Sequence, residues 1–167
     1  MANMGAAMAP AAFSTIATHL IDTKRQASYY DAIITGDLGT LGSEVLVDLL
    51  KQEGINNINI DLIYALPKQR MDDLKIDLDF FLSLDIPHIS TYSLMIEPHT
   101  KLYINSVKNI DETLDLEMYN YICKILKDNG YNHYEISNFS RDNFESKHNL
   151  TYWNNEEYYG FGVGASG

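Results

Sequence analysis

The chain has 167 residues, the size of one domain, and 46% of them are hydrophobic, which is enough to build a core. Twelve Lys and Arg against 23 Asp and Glu leave a formal net charge of −11, which argues against nucleic acid and anionic membrane surfaces as partners, since both would repel it. A single cysteine, Cys123, excludes an internal disulfide and fits a reducing, cytoplasmic setting; none of these totals sets an oligomeric state.

The opening MANMGAAMAPAAF is apolar, but it carries no Lys or Arg and Pro10 interrupts it, so it does not read as a signal peptide. No uninterrupted apolar run reaches membrane-spanning length, and no insertion is expected. Ala11 to Thr23 has Phe13, Ile16, His19 and Leu20 at helical spacing. Lys24 to Ser28 is a polar connection, and Tyr30, Ala32, Ile33 and Ile34 read as a short buried strand. Gly36 to Gly42 is a turn whose glycines fit neither a dinucleotide nor a P-loop pattern. Ser43 caps a helix through Val45, Leu46, Leu49 and Leu50, closed by Gly54. The chain thus opens as helix, strand, turn, helix.

Ile58 to Tyr64 is a nearly continuous apolar strand of the kind found in parallel sheets, and LPKQR follows as the turn into a helix over Met71 to Leu84. In that helix Leu74, Leu78, Phe81 and Leu82 share a face, and Asp72 and Asp73 suit the dipole of the first turn. Pro87 opens a strand over His88 to Ile96. Asp111 or Thr113 caps a helix to Asn129, with Leu116, Tyr119, Ile122, Cys123 and Leu126 inward and Gly130 at its end. Strand, helix, strand, helix, strand is a parallel α/β order. Tyr131 to Gly167 is aromatic, and it ends with Gly160, Gly162 and Gly164 alternating with Phe161, Val163 and Ala165, which suits a strand approached closely by other groups.

Two family resemblances run through these elements. NMGAAMAPAA and YDAIITGDLGTLGSEVLVDLLKQEG resemble part of stage V sporulation protein AD, a thiolase-fold protein, although no thiolase-type nucleophilic Cys is present in residues 1–54. NIDLIYALPKQR, HISTYSLMIEPHT, YEISNF, HN-x-x-YW and Y-x-G-x-G-x-GA resemble the oxygen-independent coproporphyrinogen III oxidase family of radical SAM proteins, closer to its haem-chaperone branch. This second resemblance covers Ile55 to Gly167 and implies the later part of a radical SAM (β/α) barrel, with Ala65 where Gly is usual and Arg70 where Thr is usual. The two meet at QEGINN, with no Pro-, Gly- or Ser-rich linker between them. The expected domain division is 1–54 and 55–167.

The second family implies oxidative decarboxylation of coproporphyrinogen III, or haem delivery in the chaperone branch, using SAM and a [4Fe–4S] cluster. Its CxxxCxxC-type cluster loop is absent here, and one thiolate cannot stand in for three. The chain is therefore expected to lack radical chemistry and to hold no metal and no catalytic residue of that reaction. Asp61, Tyr64 and Gln69 match the motif that lies near SAM, so they form a vestigial half-site, with Gln69 as the contact; alternatively Gln69 only satisfies its turn. His133 and His148 are candidate axial ligands for haem or porphyrin, with tyrosines and Trp153 as ring-packing surface. A hydrogen-bonded structural role is the competing reading for both, and His88 and His99 are read as structural or solvent-facing. Glu135 and Asn138 read as loop-ordering residues, and Cys123 as a small buried hydrophobe. The alternative readings are a haem- or porphyrin-binding module and a sporulation-related interaction protein. Since the two segments share no evolved interface, limited proteolysis should cut first within Gly54 to Asn57; cleavage inside Met71 to Leu84 with that stretch intact would contradict the division.

Overall fold

Asn3 starts the first helix, its Oδ1 accepting from the Ala6 N–H at 3.1 Å. From there α1 runs over Met4–Thr23, beginning before the expected Ala11 because Pro10 is carried inside the helix. Lys24 ends it in the left-handed region at φ 53°, with its N–H on the Ile21 carbonyl. The computed structural model describes residues 3–30 and 33–158. They fall into two compact units, Met1–Asn59 with Lys75–Ile86, and Ile60–Leu74 with Pro87–Gly167.

In the first unit α1 packs on α2 (Gly39–Gln52). That helix begins within the stretch expected to be a turn, because Asp37 Oδ1 accepts from the Gly39 N–H at 2.8 Å and opens the helix four residues ahead of Ser43. The crossing is set by two glycines. A Cβ on Gly5 would lie 1.8 Å from the Leu38 carbonyl oxygen, and one on Gly42 would lie 2.7 Å from the Gly5 carbonyl. Ala9, Leu38 and Leu46 are buried at this crossing, flanked by Ala12, Phe13, Val45 and Leu50. The opposite side of α1 is open, with Met4 74% and Ile21 73% exposed. Contrary to the sequence expectation, α1 is long and apolar enough to cross a membrane by length and composition. The run extends through Pro10, and Thr15 and Thr23 turn their hydroxyls back onto the carbonyls of Ala11 and His19.

The strand expected at Tyr30, Ala32, Ile33 and Ile34 is corrected at its described residues, Ala32 lying outside them. Ala27–Tyr29 is a short 3₁₀ turn, residues 33–38 are irregular, and Ile34 is 89% exposed. No strand lies in the first unit for it to pair with, among the described residues, apart from the first residue of β1. Without a neighbour to complete the ladder, β-branched residues cannot hold an extended strand.

The second unit is built on a four-stranded sheet in the order β1-β2-β4-β3, from β1 (Asn59–Tyr64), β2 (His88–Ser93), β3 (Asn132–His133) and β4 (Asn138–Ser140). Between β1 and β2 runs α3 (Met71–Ser83), which passes into the first unit after Leu74. Then come α4 (Lys101–Ile104), α5 (Glu112–Asp128) and α6 (Lys147–Trp153). Asp111 caps α5 as expected, its Oδ1 accepting from Thr113 N–H at 3.0 Å, and Gly130 follows its end at φ 83°. The purely parallel order is corrected: β4 pairs antiparallel with both β2 and β3, with Phe139 opposite Ile89 and His133. β3 does run in the same sense as β2, but the reversal at residues 134–137 inserts β4 between them. The inward stripe of α5 is Met118, Ile122 and Leu126, whereas Leu116 is 59% exposed, two positions off the i, i+4 row. The glycine-rich strand expected after Tyr158 lies outside the described residues.

The α1–α2 crossing gives a direct test. Ala is the better helix former by about 1 kcal/mol, yet at position 42 its methyl group meets Gly5 backbone that cannot yield. Gly42→Ala should therefore destabilise the α1–α2 pair by about 1–3 kcal/mol. Gly36→Ala, with nothing within 4 Å, should be neutral. Hydrogen exchange of α1 and α2 amides in the two variants reads the difference.

Candidate functional site: the polar face of β2 and the segment 131–153

β2 is buried over its first four residues although three of them, His88, Ser90 and Thr91, are polar. Each is answered by the chain around β4. Ser90 Oγ donates to Asn138 Oδ1 at 2.6 Å. Thr91 donates both its N–H and its hydroxyl to the Ser137 carbonyl. His88 Nε2 meets the Tyr134 hydroxyl at 2.7 Å. That hydroxyl also accepts from the Ser146 N–H at 3.2 Å and bonds Asn149, which ties His88 to the start of α6. Burial lowers the His88 pKa, while Asp61, Glu135 and Glu145 pull it up. Glu135 accepts from Asn138 Nδ2 and from the Ser137 N–H, which fixes the turn between β3 and β4. Glu135 and Asn138 thus order a loop, as their sequence suggests. Tyr134, Ser90 and Ser146 were not singled out from sequence; the tyrosine in YEISN was the available signal.

The three SAM-motif residues are not brought together. Asp61 and Tyr64 are three apart on β1, hence on opposite faces. Asp61 is exposed on the side that acts on His88. Tyr64 is buried, and its hydroxyl pKa is pushed up to about 12 by burial first and then by Asp115, while Ser93 hydrogen-bonds it. Ser93 Oγ in turn donates to Asp115 Oδ2 at 2.8 Å, tying β2 to α5. Gln69 is buried and folds onto its own turn: its Oε1 accepts from Leu66 N–H at 3.1 Å, and its N–H donates to the Leu66 carbonyl at 2.9 Å. This turn holds Ala65 at φ 59° and Lys68 at φ 69°, both left-handed. A left-handed backbone at residue 65 is the physical reason for Gly there, and Ala adopts it at a cost.

His133 and His148 sit in different settings. The Nε2–H of His133 donates to the Ile136 carbonyl at 3.1 Å, which also accepts from the Tyr119 hydroxyl at 3.1 Å. Its ring stacks on buried Phe139 with centroids 4.3 Å apart. His133 itself is exposed on β3. His148 is exposed on α6, edge-on to Tyr152 at 4.9 Å, which in turn packs on Tyr158 at 4.6 Å, and Trp153 is 53% exposed nearby in sequence. His99 lies in an exposed turn at φ 70°. Cys123 is half-buried on α5, and burial raises its thiol pKa. Among the described residues no three His, Cys, Asp or Glu side chains cluster to hold a metal ion, and a lone protonated thiol does not fit an iron–sulfur cluster.

The chain is similar to proteins of two families. A family model for stage V sporulation protein AD (SpoVAD) matches residues 1–64. The heme chaperone HemW of Lactococcus lactis is 53% identical over 125 residues, covering 72% of this chain and 33% of that protein. The Bacillus subtilis heme chaperone HemW is 42% identical over 121 residues, 70% of this chain and 32% of that one. The structure of coproporphyrinogen III oxidase (HemN) from Escherichia coli, a radical SAM enzyme, superposes with a TM-score of 0.57 at 21% identity, covering 65% of this chain and 25% of that chain. The chain therefore carries a mixed α/β fold similar to that enzyme's. The chain is thus similar to SpoVAD over residues 1–64 and, over most of its length, to heme chaperone HemW and to HemN. The chain spans about a third of the length of the curated relatives it matches. Since 72% of 167 residues is about 120 and the first 64 are also matched, the two likenesses share at least about 17 residues. That overlapping stretch is one that both patterns accept.

Two substitutions test the site's geometry. Ala65→Gly should relieve the left-handed strain and stabilise the chain by about 1 kcal/mol in denaturant unfolding; a loss of stability would contradict it. For His88, the unfolded ring takes a proton near pH 6.5 and the folded one only below that. Stability is therefore full above that value, falls as pH drops from it to the folded pKa, and levels off below. His88→Gln should lose less stability than wild type between pH 7.5 and pH 5.5, and equal losses would remove His88 as the cause.

Proposed function

We propose that this chain joins a thiolase-type, SpoVAD-like fragment, residues 1–54, to a fragment of a coproporphyrinogen oxidase-like radical SAM protein, residues 55–167. It is inactive in radical chemistry by itself. The observation that carries this reading is the placement of Cys123: the one thiol in the chain is half-buried against Tyr119 on α5, with its protonated form favoured. The separation of Asp61 from Tyr64, and the turn-bound Gln69, support a SAM half-site that no longer converges. The exposed Ile33 and Ile34 support the fragment reading of the first segment, since two β-branched apolar residues in irregular chain are left uncovered.

Haem or porphyrin binding is the function that remains within reach. It is favoured by one feature, the exposed imidazole of His148 beside Tyr152 and Tyr158. When bound, haem would supply its own redox or transfer chemistry; the chain would supply an axial nitrogen and aromatic packing surface. His133 is the weaker candidate because its Nε2–H is already given to the Ile136 carbonyl. Titration with hemin should shift the Soret band for wild type and His133→Ala but not for His148→Ala. Identical spectra for wild type and His148→Ala would remove haem ligation from the account.

A further inference from the structure

The end of α1 carries a cluster of polar and aromatic side chains outside the site described above. Lys24 turns the chain back in the left-handed region, and the Arg25 N–H closes on the Leu20 carbonyl at 3.0 Å. Tyr30 follows the 3₁₀ turn Ala27–Tyr29, its N–H on the Ala27 carbonyl at 3.1 Å. The reversal brings the Tyr30 hydroxyl to His19 Nε2 at 2.6 Å, and the same oxygen accepts from Arg25 Nη1 at 3.3 Å. The Arg25 hydrogen bond, aided by Thr23 and by the charge of Arg25 and opposed by burial, holds the phenol pKa below its usual 10. Tyr29 is a built-in comparison. It is 62% exposed and edge-on to Tyr30, but it takes the guanidinium on its ring face, with Cζ 4.1 Å from the centroid. Tyr30 thus has the three parts of an activated nucleophile: a partly exposed hydroxyl-bearing side chain, an imidazole within proton-transfer reach, and a cation at the oxygen.

We propose that Tyr30 is a nucleophilic modification site that takes an acyl group from an activated ester, with His19 as general base and Arg25 as the cation at the phenolic oxygen. In this step Tyr30 Oη bonds the acyl carbon, the hydroxyl proton passes to His19 Nε2, and the bond from the acyl carbon to the leaving alkoxide or phenolate breaks. No oxidation state changes. The acyl group stays on the chain as an aryl ester until water hydrolyses it to the carboxylate and restores the phenol. The net charge of −11 favours a neutral ester over a phosphoryl donor, whose anionic oxygens the chain as a whole repels. His19 and Tyr30 both lie in the first unit, so the site uses neither Cys123 nor the helix that carries His148, and it stands apart from the haem reading.

The test is limited reaction of the full chain with p-nitrophenyl acetate, followed by peptide mass mapping of the acetylated residues. Tyr30 should be acetylated at least about tenfold faster than Tyr29, and the preference should vanish in denaturant, where His19 and Arg25 no longer converge on it. His19→Gln should slow Tyr30 at least about tenfold while Tyr29 keeps its rate, and Tyr30→Phe should remove the fast release of p-nitrophenolate. Equal rates at Tyr29 and Tyr30 in the folded wild type would overturn the proposal. So would a Tyr30 rate that His19→Gln leaves unchanged, or a fast release that survives Tyr30→Phe with the acetyl group on His19 itself. The comparison of Tyr30 with Tyr29 in the wild type reads the site even where a variant fails to fold.

Discussion

The second unit depends on the way the polar side chains of β2 are answered by one short segment. His88 meets Tyr134, Thr91 meets the Ser137 carbonyl, and Ser90 meets Asn138, all within seven residues of chain that include β4. Each buried hydrogen bond contributes about 1 kcal/mol net, but stranding one partner costs about 1–3 kcal/mol. A strand with three such groups therefore cannot tolerate a neighbour placed by hydrophobicity alone. It selects the one register in which Ser140, Phe139 and Asn138 face His88, Ile89 and Ser90. Tyr134 extends the same constraint to the start of α6, because its hydroxyl also holds the Ser146 N–H. The position of His148 follows from that tie, two residues into the helix that Ser146 caps.

The first unit rests on a different principle. Its helices meet through absence of side chain, with Gly5 under the Leu38 carbonyl and Gly42 under Gly5. Close backbone approach gains dispersion over a small area, and what it buries is limited to Ala9, Leu38, Leu46 and their flanking residues. The outer side of α1 and the Ile33–Ile34 segment stay open. An apolar helix face and the β-branched pair Ile33 and Ile34 are thus left uncovered in the first unit.

Much of the architecture was legible where local chemistry decides. The cap at Asp111, the stop at Gly130 and the apolar face of α3 through Leu74 and Leu78 follow from side chains a few residues apart. What was not legible depended on partners distant in sequence. Ile33 and Ile34 have the composition of a strand, but a strand needs a neighbour, which sequence pattern does not supply. The antiparallel β4 arises from a reversal fixed by Glu135, whose carboxylate holds the Ser137 N–H and the Asn138 amide. Leu116 is apolar and lies in a helix, yet it misses the buried row by two positions. For the site, the matching of Asp61, Tyr64 and Gln69 to one motif conveyed proximity along the chain, while the pleat of β1 and the turn at Ala65 sent their side chains three ways.

The account turns on whether residues 55–167, with one thiol, can do any of the chemistry of the enzymes they resemble. A site-differentiated cluster needs three protein thiolates, so that the fourth iron can take SAM. Cys123 offers one, disfavoured as thiolate by burial, and even a dimer would offer two. The direct measurement is anaerobic reconstitution of the purified chain with iron and sulfide, followed by reduction in the presence of SAM. The predicted result is no stoichiometric bound iron or sulfide and no 5′-deoxyadenosine. A stoichiometric cluster with SAM-dependent 5′-deoxyadenosine formation from this polypeptide alone would contradict it.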